Sequence, residues 1–234
     1  MGLQRFNFPP FLRRMFIGHY AVALAAKRVA PTASLGLLFA AAQLPDLVWP
    51  VCVLLGWEHV GIVPGITAFN PLEFSSYPWS HSLLMVAAWG TGAGLVYFLG
   101  ARDRAGAVMV GLLAVSHWVL DWVTHRPDLP LWPGGAGRFG LGLWSSVAGT
   151  LVIESGMFIA GIVVYFRCTQ PRDRTGRYAM GSLLAVLTFF YLADRFGRPP
   201  PSEQALGWFA LVGGWLPVAW SDWADRHRVT VSVR

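Results

Sequence analysis

Three ionisable residues stand four positions apart in one apolar segment, AVSHWVLDWVTHRPD, which contains His117, Asp121 and His125. Four residues of α-helix turn through about 400° and rise about 6 Å, so the three side chains form one polar stripe on one face. Imidazole and carboxylate groups in such a stripe are typical of a metal site or a proton relay, although a buried hydrogen-bond network has the same spacing. Ionisable groups at membrane depth are costly and therefore indicate function by default.

Three further ionisable residues stand in apolar segments. His81, in YPWSHSLL, stands at a predicted helix start, where a histidine is either an interfacial cap or a ligand. Asp46 follows a proline in LPD, a pattern that indicates a helix break with a capping carboxylate as readily as a metal ligand. Glu154, in VIESG, has no Lys or Arg nearby in its own segment, and both a structural and a functional carboxylate stay open.

The composition is that of a membrane protein. The chain has 234 residues, of which 55% are hydrophobic and 13% charged, with a mean hydropathy of +0.49. Because soluble domains are about 25% charged, we expect an integral membrane protein. The net charge of +6 comes from arginines in short loops between apolar runs, so it indicates topology, and no nucleic-acid partner is expected. Two cysteines, Cys52 and Cys168, predict neither a disulfide nor a zinc knuckle.

The apolar segments predict an all-α, polytopic transmembrane helix bundle that forms a single domain over residues 1–234. A span needs about 20 apolar residues. Upstream of the first span, MFIGHYAVALAA is too short to cross a bilayer and predicts an interfacial or re-entrant helix. Six segments are long enough: 33–56, 80–100, 105–125, 145–167, 178–195 and 204–222.

The positive charges of the connecting segments predict the orientation. Loops 57–79 and 126–144 are poor in Lys and Arg, as is 195–203 with Arg195 and Arg198, whereas the alternate segments are rich in them. The positive-inside rule then places both termini in the cytoplasm and the poor loops outside. The residues taken as cytoplasmic are Arg5, Arg13, Arg14, Lys27, Arg28, Arg102, Arg104, Arg167, Arg172, Arg174, Arg177, Arg226, Arg228 and Arg234.

With this topology, the polar residues share the outer half of the membrane. His81 and His125 lie at the outer ends of their spans, and a rise of about 1.5 Å per residue puts Asp46 and Glu154 about 15 Å deep. Nitrogen and carboxylate ligands without cysteine suit a divalent metal, with Zn²⁺ favoured. The number of ligands allows one to three ions with a bridging carboxylate. Such a site lowers the pKa of bound water to about 7, and a carboxylate that is not a ligand can act as general base.

Several motifs together resemble those of the bacterial membrane-bound metal-dependent hydrolase family. They are GHYAVALAAK, LPD, SHS, SHWVLDWVTH, GLGLW and the glutamate of VIESG, and they cover residues 15–165. That inner-membrane family is distantly similar to zinc-dependent phospholipase C and to single-strand-specific zinc nucleases. The resemblance implies that five residues are metal ligands: His19, Asp46, His81, His117 and Asp121.

The resemblance is less direct for two residues that we also predict as ligands or catalytic groups. His125 stands where family members have a Thr-x-x-Gly continuation, and its depth at the mouth suits contact with substrate. Glu154 resembles the late glutamate ligand of the phospholipase group without that group's H-x3-E spacing. His19 conflicts with the predicted topology, because a helix on the cytoplasmic surface cannot reach an outer site. We favour insertion of that helix into the bundle.

The resulting prediction is an inner-membrane, metal-dependent hydrolase. Its substrate is a phosphoester or an ester that reaches the site from the outer side. A lipid substrate is suggested by tryptophans near the mouth: Trp79, Trp118, Trp122, Trp132 and Trp144. One alternative is a proton- or metal-coupled transporter, which needs polar residues through to the cytoplasmic side. The other is a non-catalytic scaffold whose metal is structural, with four protein ligands and no open position. The oligomeric state is not predicted.

Overall fold

The computed structural model describes residues 17–196 and 200–231, except for the side chains of residues 194–196. In chain order the elements are α1 (Ile17–Ala26), α2 (Leu35–Ala42), α3 (Leu44–Leu54), β1 (His59–Ile62), β2 (Leu72–Ser76), α4 (Pro78–His81), α5 (Leu83–Ala101), α6 (Arg104–Thr124), a 3₁₀ turn (Leu143–Ser145), α7 (Val147–Cys168), β3 (Thr169–Pro171), α8 (Arg174–Phe196), α9 (Glu203–Arg226) and β4 (Arg228–Thr230). The predicted helical bundle is confirmed. It also contains two antiparallel pairs of short strands, β1–β2 and β3–β4, which were not predicted.

Among the described residues, four helices are long and apolar enough to cross a membrane, where the sequence predicted six spans. They are α5, α6, α7 and Arg174–Ala193 of α8. A fifth results if α2 and α3, bent by 56° at their junction, form one broken span. The remaining predicted span corresponds to α9, which has 24 residues but includes tryptophans, glycines and an internal proline, Pro217.

The bend between α2 and α3 follows from Pro45. Proline lacks a backbone N–H and cannot continue the hydrogen-bond ladder of α2, whereas it is tolerated in the first turn of a new helix. Gln43 ends α2 and begins α3, and Pro45 lies in the first turn of α3. Asp46 lies in the same turn, where the helix dipole favours a carboxylate. The helix break that LPD indicates is therefore present.

Two groups of loops lie at opposite ends of the bundle. At one end, the 59–76 hairpin contacts the 126–146 segment, since the Phe69 N–H donates to the Trp144 carbonyl over 3.0 Å and Arg126 pairs with Glu73. At the other end, Lys27 pairs with Asp225. The two long loops predicted to lie outside thus share one end, while the assignment of that end to the periplasm stays a prediction. Residues Arg5, Arg13, Arg14, Arg198 and Arg234, used in that prediction, lie outside the described residues.

Helix α1 lies inside the bundle rather than on its surface. It packs against α7 and α2, and eight of its ten residues are buried, including His19. The contact with α7 is close because Gly161 carries no side chain: a Cβ there would come within 2.8 Å of the Ala21 Cα. The burial of α1 agrees with the insertion into the bundle that we favour for His19.

Candidate metal centre

The Asp121 carboxylate lies at the centre of a buried cluster of histidines. Its Oδ1 is 3.3 Å from His19 Nε2 and 3.9 Å from His125 Nε2. Its Oδ2 is 3.2 Å from His117 Nε2 and 3.7 Å from His81 Nε2. All five residues are at least 95% buried. Helix α6 carries three of them one turn apart, so the polar stripe predicted from the sequence faces the interior of the bundle.

Asp46 completes one side of this cluster from the first turn of α3. Its Oδ1 is 3.4 Å from His81 Nε2 and 3.8 Å from His117 Nε2. Ligand atoms bound tetrahedrally to zinc at about 2.0–2.1 Å lie about 3.3 Å from one another. The Nε2 atoms of His81 and His117 therefore lie near ligand spacing from an oxygen of Asp46 and from an oxygen of Asp121. Two groups of ligand atoms lie within 4.8 Å of one another: His19 with His117 and Asp121, and Asp46 with His81 and His117.

The His117 ring is oriented by the end of α2. Its Nδ1 is 2.8 Å from the Ala42 carbonyl oxygen. A carbonyl only accepts hydrogen bonds, so Nδ1 carries a proton, and in the neutral ring Nε2 presents its lone pair to Asp121 and Asp46. The Ala42 carbonyl belongs to the last turn of α2, where helix geometry leaves carbonyls without an intrahelical partner. The helix break thus supplies the group that fixes this histidine.

The His81 ring is oriented by a buried carboxylate, Glu58, acting through Ser80. Glu58 accepts the backbone N–H groups of Trp79 and Ser80 over 2.7 and 2.8 Å. It also accepts the Ser80 hydroxyl over 2.6 Å. Since the hydroxyl proton is directed to Glu58, the Ser80 oxygen accepts from His81 Nδ1 over 2.7 Å. The Nε2 lone pair of His81 then faces Asp46 and Asp121.

The His125 ring is oriented in the same way by Asp128. Its Nδ1 is 3.0 Å from Asp128 Oδ1, which also accepts the Tyr77 hydroxyl over 2.6 Å. Burial, together with the Asp128 carboxylate, raises the pKa of Tyr77 well above its usual range, so this hydroxyl keeps the proton that it donates. Arg126 contacts the other oxygen of Asp128 over 3.3 Å. Asp128 thus contacts Tyr77, Arg126 and His125, and it fixes the orientation of the His125 ring.

These contacts give the cluster the chemistry of a cation site. Histidine ligands of metals commonly donate their other ring N–H to a carboxylate or a carbonyl, which fixes the ring and its lone pair. Here His117 Nε2 and Asp121 Oδ2 are buried without a hydrogen bond among the described residues, although they are only 3.2 Å apart. A lone pair and a carboxylate at that distance repel each other, and a cation between them relieves the repulsion. The residues therefore fit a divalent metal ion.

The cluster is open on one side. The Asp46 side chain is 44% exposed, whereas the His81, His117 and Asp121 side chains are at most 5% exposed. A molecule from outside the bundle therefore approaches from the side of Asp46. Of the five tryptophans predicted at the mouth, three are exposed, namely Trp79, Trp122 and Trp132. The other two pack inside: the Trp118 indole N–H donates to the Pro130 carbonyl, and the Trp144 ring contacts the His125 ring at a tilt of 38°, with centroids 4.3 Å apart.

All but one of the predicted site residues meet in this cluster: His19, Asp46, His81, His117, Asp121 and His125. Glu154 is fully buried on α7, and within the described part of the chain neither it nor His125 belongs to a group of candidate ligands, although His125 Nε2 is 3.9 Å from Asp121 Oδ1. The role of Glu154 stays a prediction. Sequence reasoning missed Glu58 and Asp128. Asp128 could have been found from its position three residues after His125. Glu58 is 23 residues from His81, in a loop, and no local pattern in the sequence connects the two.

Comparison with known proteins identifies the family. Residues 12–198, more than half of the chain, match the family described as YdjM inner membrane protein. No curated protein matches, and no solved structure matches. The chain therefore belongs to that inner membrane protein family. The description gives a membrane location and no activity, so it supports the inner-membrane part of the resemblance seen in the sequence and leaves the hydrolase and phospholipase C parts without support.

Proposed function

Starting from this family membership and the geometry of the cluster, we propose that the protein is a membrane-embedded metal-dependent hydrolase. The single observation that carries the proposal is that two buried histidines, His81 and His117, each face an oxygen of Asp46 and an oxygen of Asp121. The distances from His81 Nε2 and from His117 Nε2 to the two carboxylate oxygens, Asp46 Oδ1 and Asp121 Oδ2, are 3.2–3.8 Å. Carboxylates buried against histidine lone pairs in a membrane-embedded bundle are costly without a bound cation.

The ion that this set favours is Zn²⁺ or another borderline divalent metal, because its ligands are nitrogen and oxygen atoms. When bound, such an ion lowers the pKa of a coordinated water to about 7 and polarises a phosphoryl or carbonyl oxygen. The chain itself fixes the ligands. The Ala42 carbonyl orients His117, and Ser80 with Glu58 orients His81. A carboxylate that is not a ligand can act as general base, and Glu154 remains a candidate for that role.

The substrate class is a phosphoester or an ester, and the surroundings of the opening favour a lipid. Trp79, next to Ser80 in α4, is 45% exposed, and its carbonyl accepts the indole N–H of Trp89, which is 41% exposed. Trp132 is 53% exposed in the loop at the same end of the bundle. Tryptophans concentrate at the membrane–water interface, where lipid headgroups lie.

The two alternative functions have less support. A transporter needs polar groups that continue towards the opposite end of the bundle. Along α1, the buried residues between His19 and Lys27 are Tyr20, Ala21, Ala23, Leu24 and Ala26, of which only the tyrosine carries a polar group. A purely structural metal has a closed set of ligands. The exposed side of Asp46 favours a site that substrate can reach.

Metal analysis of the purified protein tests the proposal. We expect at least one equivalent of a divalent metal in the wild-type protein and its loss in His117→Ala and Asp121→Ala. His59→Ala is the matched control, since His59 is an exposed histidine of β1 and should leave the metal content unchanged. No metal in the wild type, or unchanged metal in both cluster variants, would refute the proposal.

A second measurement separates the hydrolase from its alternatives. Metal-loaded protein in detergent is assayed on phospholipids and on a chromogenic phosphodiester, with His117→Ala in parallel. We expect hydrolysis that requires the metal and disappears in the variant. Metal content without any hydrolysis would support the structural alternative, and metal or proton flux into proteoliposomes would support the transporter.

A further inference from the structure

We propose that the cluster holds two cations and that the Asp121 carboxylate bridges them. The first ion lies among His81, His117, Asp46 and Asp121 Oδ2, as described above. The second lies against Asp121 Oδ1, with His19 and His125 as its other ligands. This inference rests on the proposed function and deepens it, since a second ion changes which substrates the site suits.

The two oxygens of Asp121 face different histidines. Oδ2 is nearest to His117 and His81, whereas Oδ1 is 3.3 Å from His19 Nε2 and 3.9 Å from His125 Nε2. If a carboxylate binds a single ion, the other ligands of that ion lie together, either around one oxygen or around the point between the two oxygens. Here each oxygen has its own pair of imidazoles, which is the arrangement of a bridging carboxylate.

His125 carries the same orientation device as the histidines of the first ion. Its Nδ1 bonds to the Asp128 carboxylate, so its Nε2 presents a lone pair towards Asp121 Oδ1. Both His125 and Asp128 are more than 90% buried. A histidine fixed by a carboxylate and aimed at a second carboxylate is the pattern of a metal ligand with its supporting group.

The spacing of His19 and His117 agrees with two ions. Their rings stack in parallel, with centroids 3.8 Å apart and planes inclined by 6°. His117 Nε2 faces Oδ2 of Asp121 and His19 Nε2 faces Oδ1. The two parallel rings therefore present their Nε2 atoms to different oxygens of Asp121, one for each proposed ion. Two-metal hydrolytic sites hold their ions about 3.5–4 Å apart.

The charges also balance. Two divalent ions bring four positive charges into the bundle. Asp46 and Asp121 are direct ligands, and Glu58 and Asp128 are supporting carboxylates, which makes four negative charges at the cluster. Arg126 compensates Asp128 in part, but its side chain is 37% exposed. Buried charges are tolerated when they are paired in this way. Because two ions stabilise the attacking and leaving oxygens of a displacement together, this site favours a phosphoester over a carboxylic ester.

The test uses Mn²⁺ as the probe on full-length protein in detergent. The protein is stripped with a chelator, loaded with Mn²⁺, desalted, and measured by metal analysis and electron paramagnetic resonance. We expect two equivalents and the spectrum of a spin-coupled ion pair. His125→Ala should retain one equivalent with the simple spectrum of an isolated ion, whereas His59→Ala should retain two.

A single equivalent in the wild type, with an isolated-ion spectrum, would overturn the second site and leave the hydrolase proposal standing. No Mn²⁺ and no other divalent metal in the wild type would overturn both. The wild-type spectrum needs no variant, so the inference can be refuted even where His125→Ala does not fold. Asp128→Asn provides a milder second variant, for which we expect weaker binding of one equivalent and an unchanged second equivalent.

Discussion

The contact between α1 and α7 gives a sharp prediction about how His19 is held in the site. Gly161 of α7 lies against the backbone of α1, so that an added Cβ would be 2.8 Å from the Ala21 Cα and 2.9 Å from its carbonyl carbon. Heavy atoms at optimal contact are about 3.5–4.0 Å apart. Gly161→Ala therefore forces the two helices to separate by about 1 Å, and backbone atoms cannot turn aside as a flexible side chain can.

The same helix contains a matched control. Gly156 has no heavy atom within 4 Å of the position where its Cβ would lie. Both substitutions gain about 1 kcal/mol of helix propensity. The difference between them isolates the packing cost, which is about 1–3 kcal/mol for overpacking a close contact. Small residues at helix interfaces are the usual means of close packing in membranes, which supports this assignment.

Equilibrium unfolding in mixed detergent micelles, followed by tryptophan fluorescence, measures both free energies. We expect Gly156→Ala to be neutral or stabilising and Gly161→Ala to be less stable than Gly156→Ala by about 1–3 kcal/mol. Because His19 lies two residues from Ala21 on the displaced helix, Gly161→Ala should also weaken metal binding. Equal stability of the two alanine variants would refute the close packing of α1 against α7.

Three further outcomes are expected. Glu58→Gln should weaken metal binding about 10–100-fold, measured by competition with a chelating dye, because it disturbs the support of His81. Glu73→Gln, in strand β2, should leave the affinity unchanged. Equal affinities of the two variants would contradict the role of Glu58. Asp225→Ala removes the partner of the buried Lys27 ammonium and should lower the free energy of unfolding by about 3–5 kcal/mol, while a loss below about 1 kcal/mol would show that the pair is not buried. At the opposite end from the cluster, the hydrogen bond from His227 lowers the pKa of Asp173. The stabilisation by this pair is therefore present above the ordinary aspartate pKa and is lost as the pH falls through the lowered pKa. In an NMR titration, the midpoint of Asp173 should rise in His227→Ala, and an unchanged midpoint would contradict the contact.

Much of the fold and part of the site could be predicted from local patterns. Apolar length identified α5, α6 and α7 as spans, because a helix that crosses a membrane satisfies its own backbone hydrogen bonds and shows this in its composition. Two of the six predicted spans differ in the structure: segment 33–56 is the bent pair α2 and α3, and segment 204–222 lies in α9, which is not among the helices long and apolar enough to cross a membrane. The short strands were missed because segments of about four residues are too short to show the alternation of polar and apolar residues that predicts a strand.

The parts of the site that sequence could not supply depend on contacts between distant segments. Nothing near His81 in sequence points to Glu58, which reaches it from the loop after α3. Nothing in GHYAVALAA shows that α1 is buried against α7, because a short apolar helix has the same composition at a membrane interface and in a protein core. The packing of the bundle alone brings these groups together.

The polar stripe of His117, Asp121 and His125 follows from the sequence without any tertiary contact, because helical geometry fixes the relation of residues four apart. The break at LPD follows in the same way, since proline cannot continue a helix. The tertiary structure alone decided which histidine faces which oxygen of Asp121, and on which side the cluster is open. Those relations are set by how the helices cross and pack, which no local pattern records.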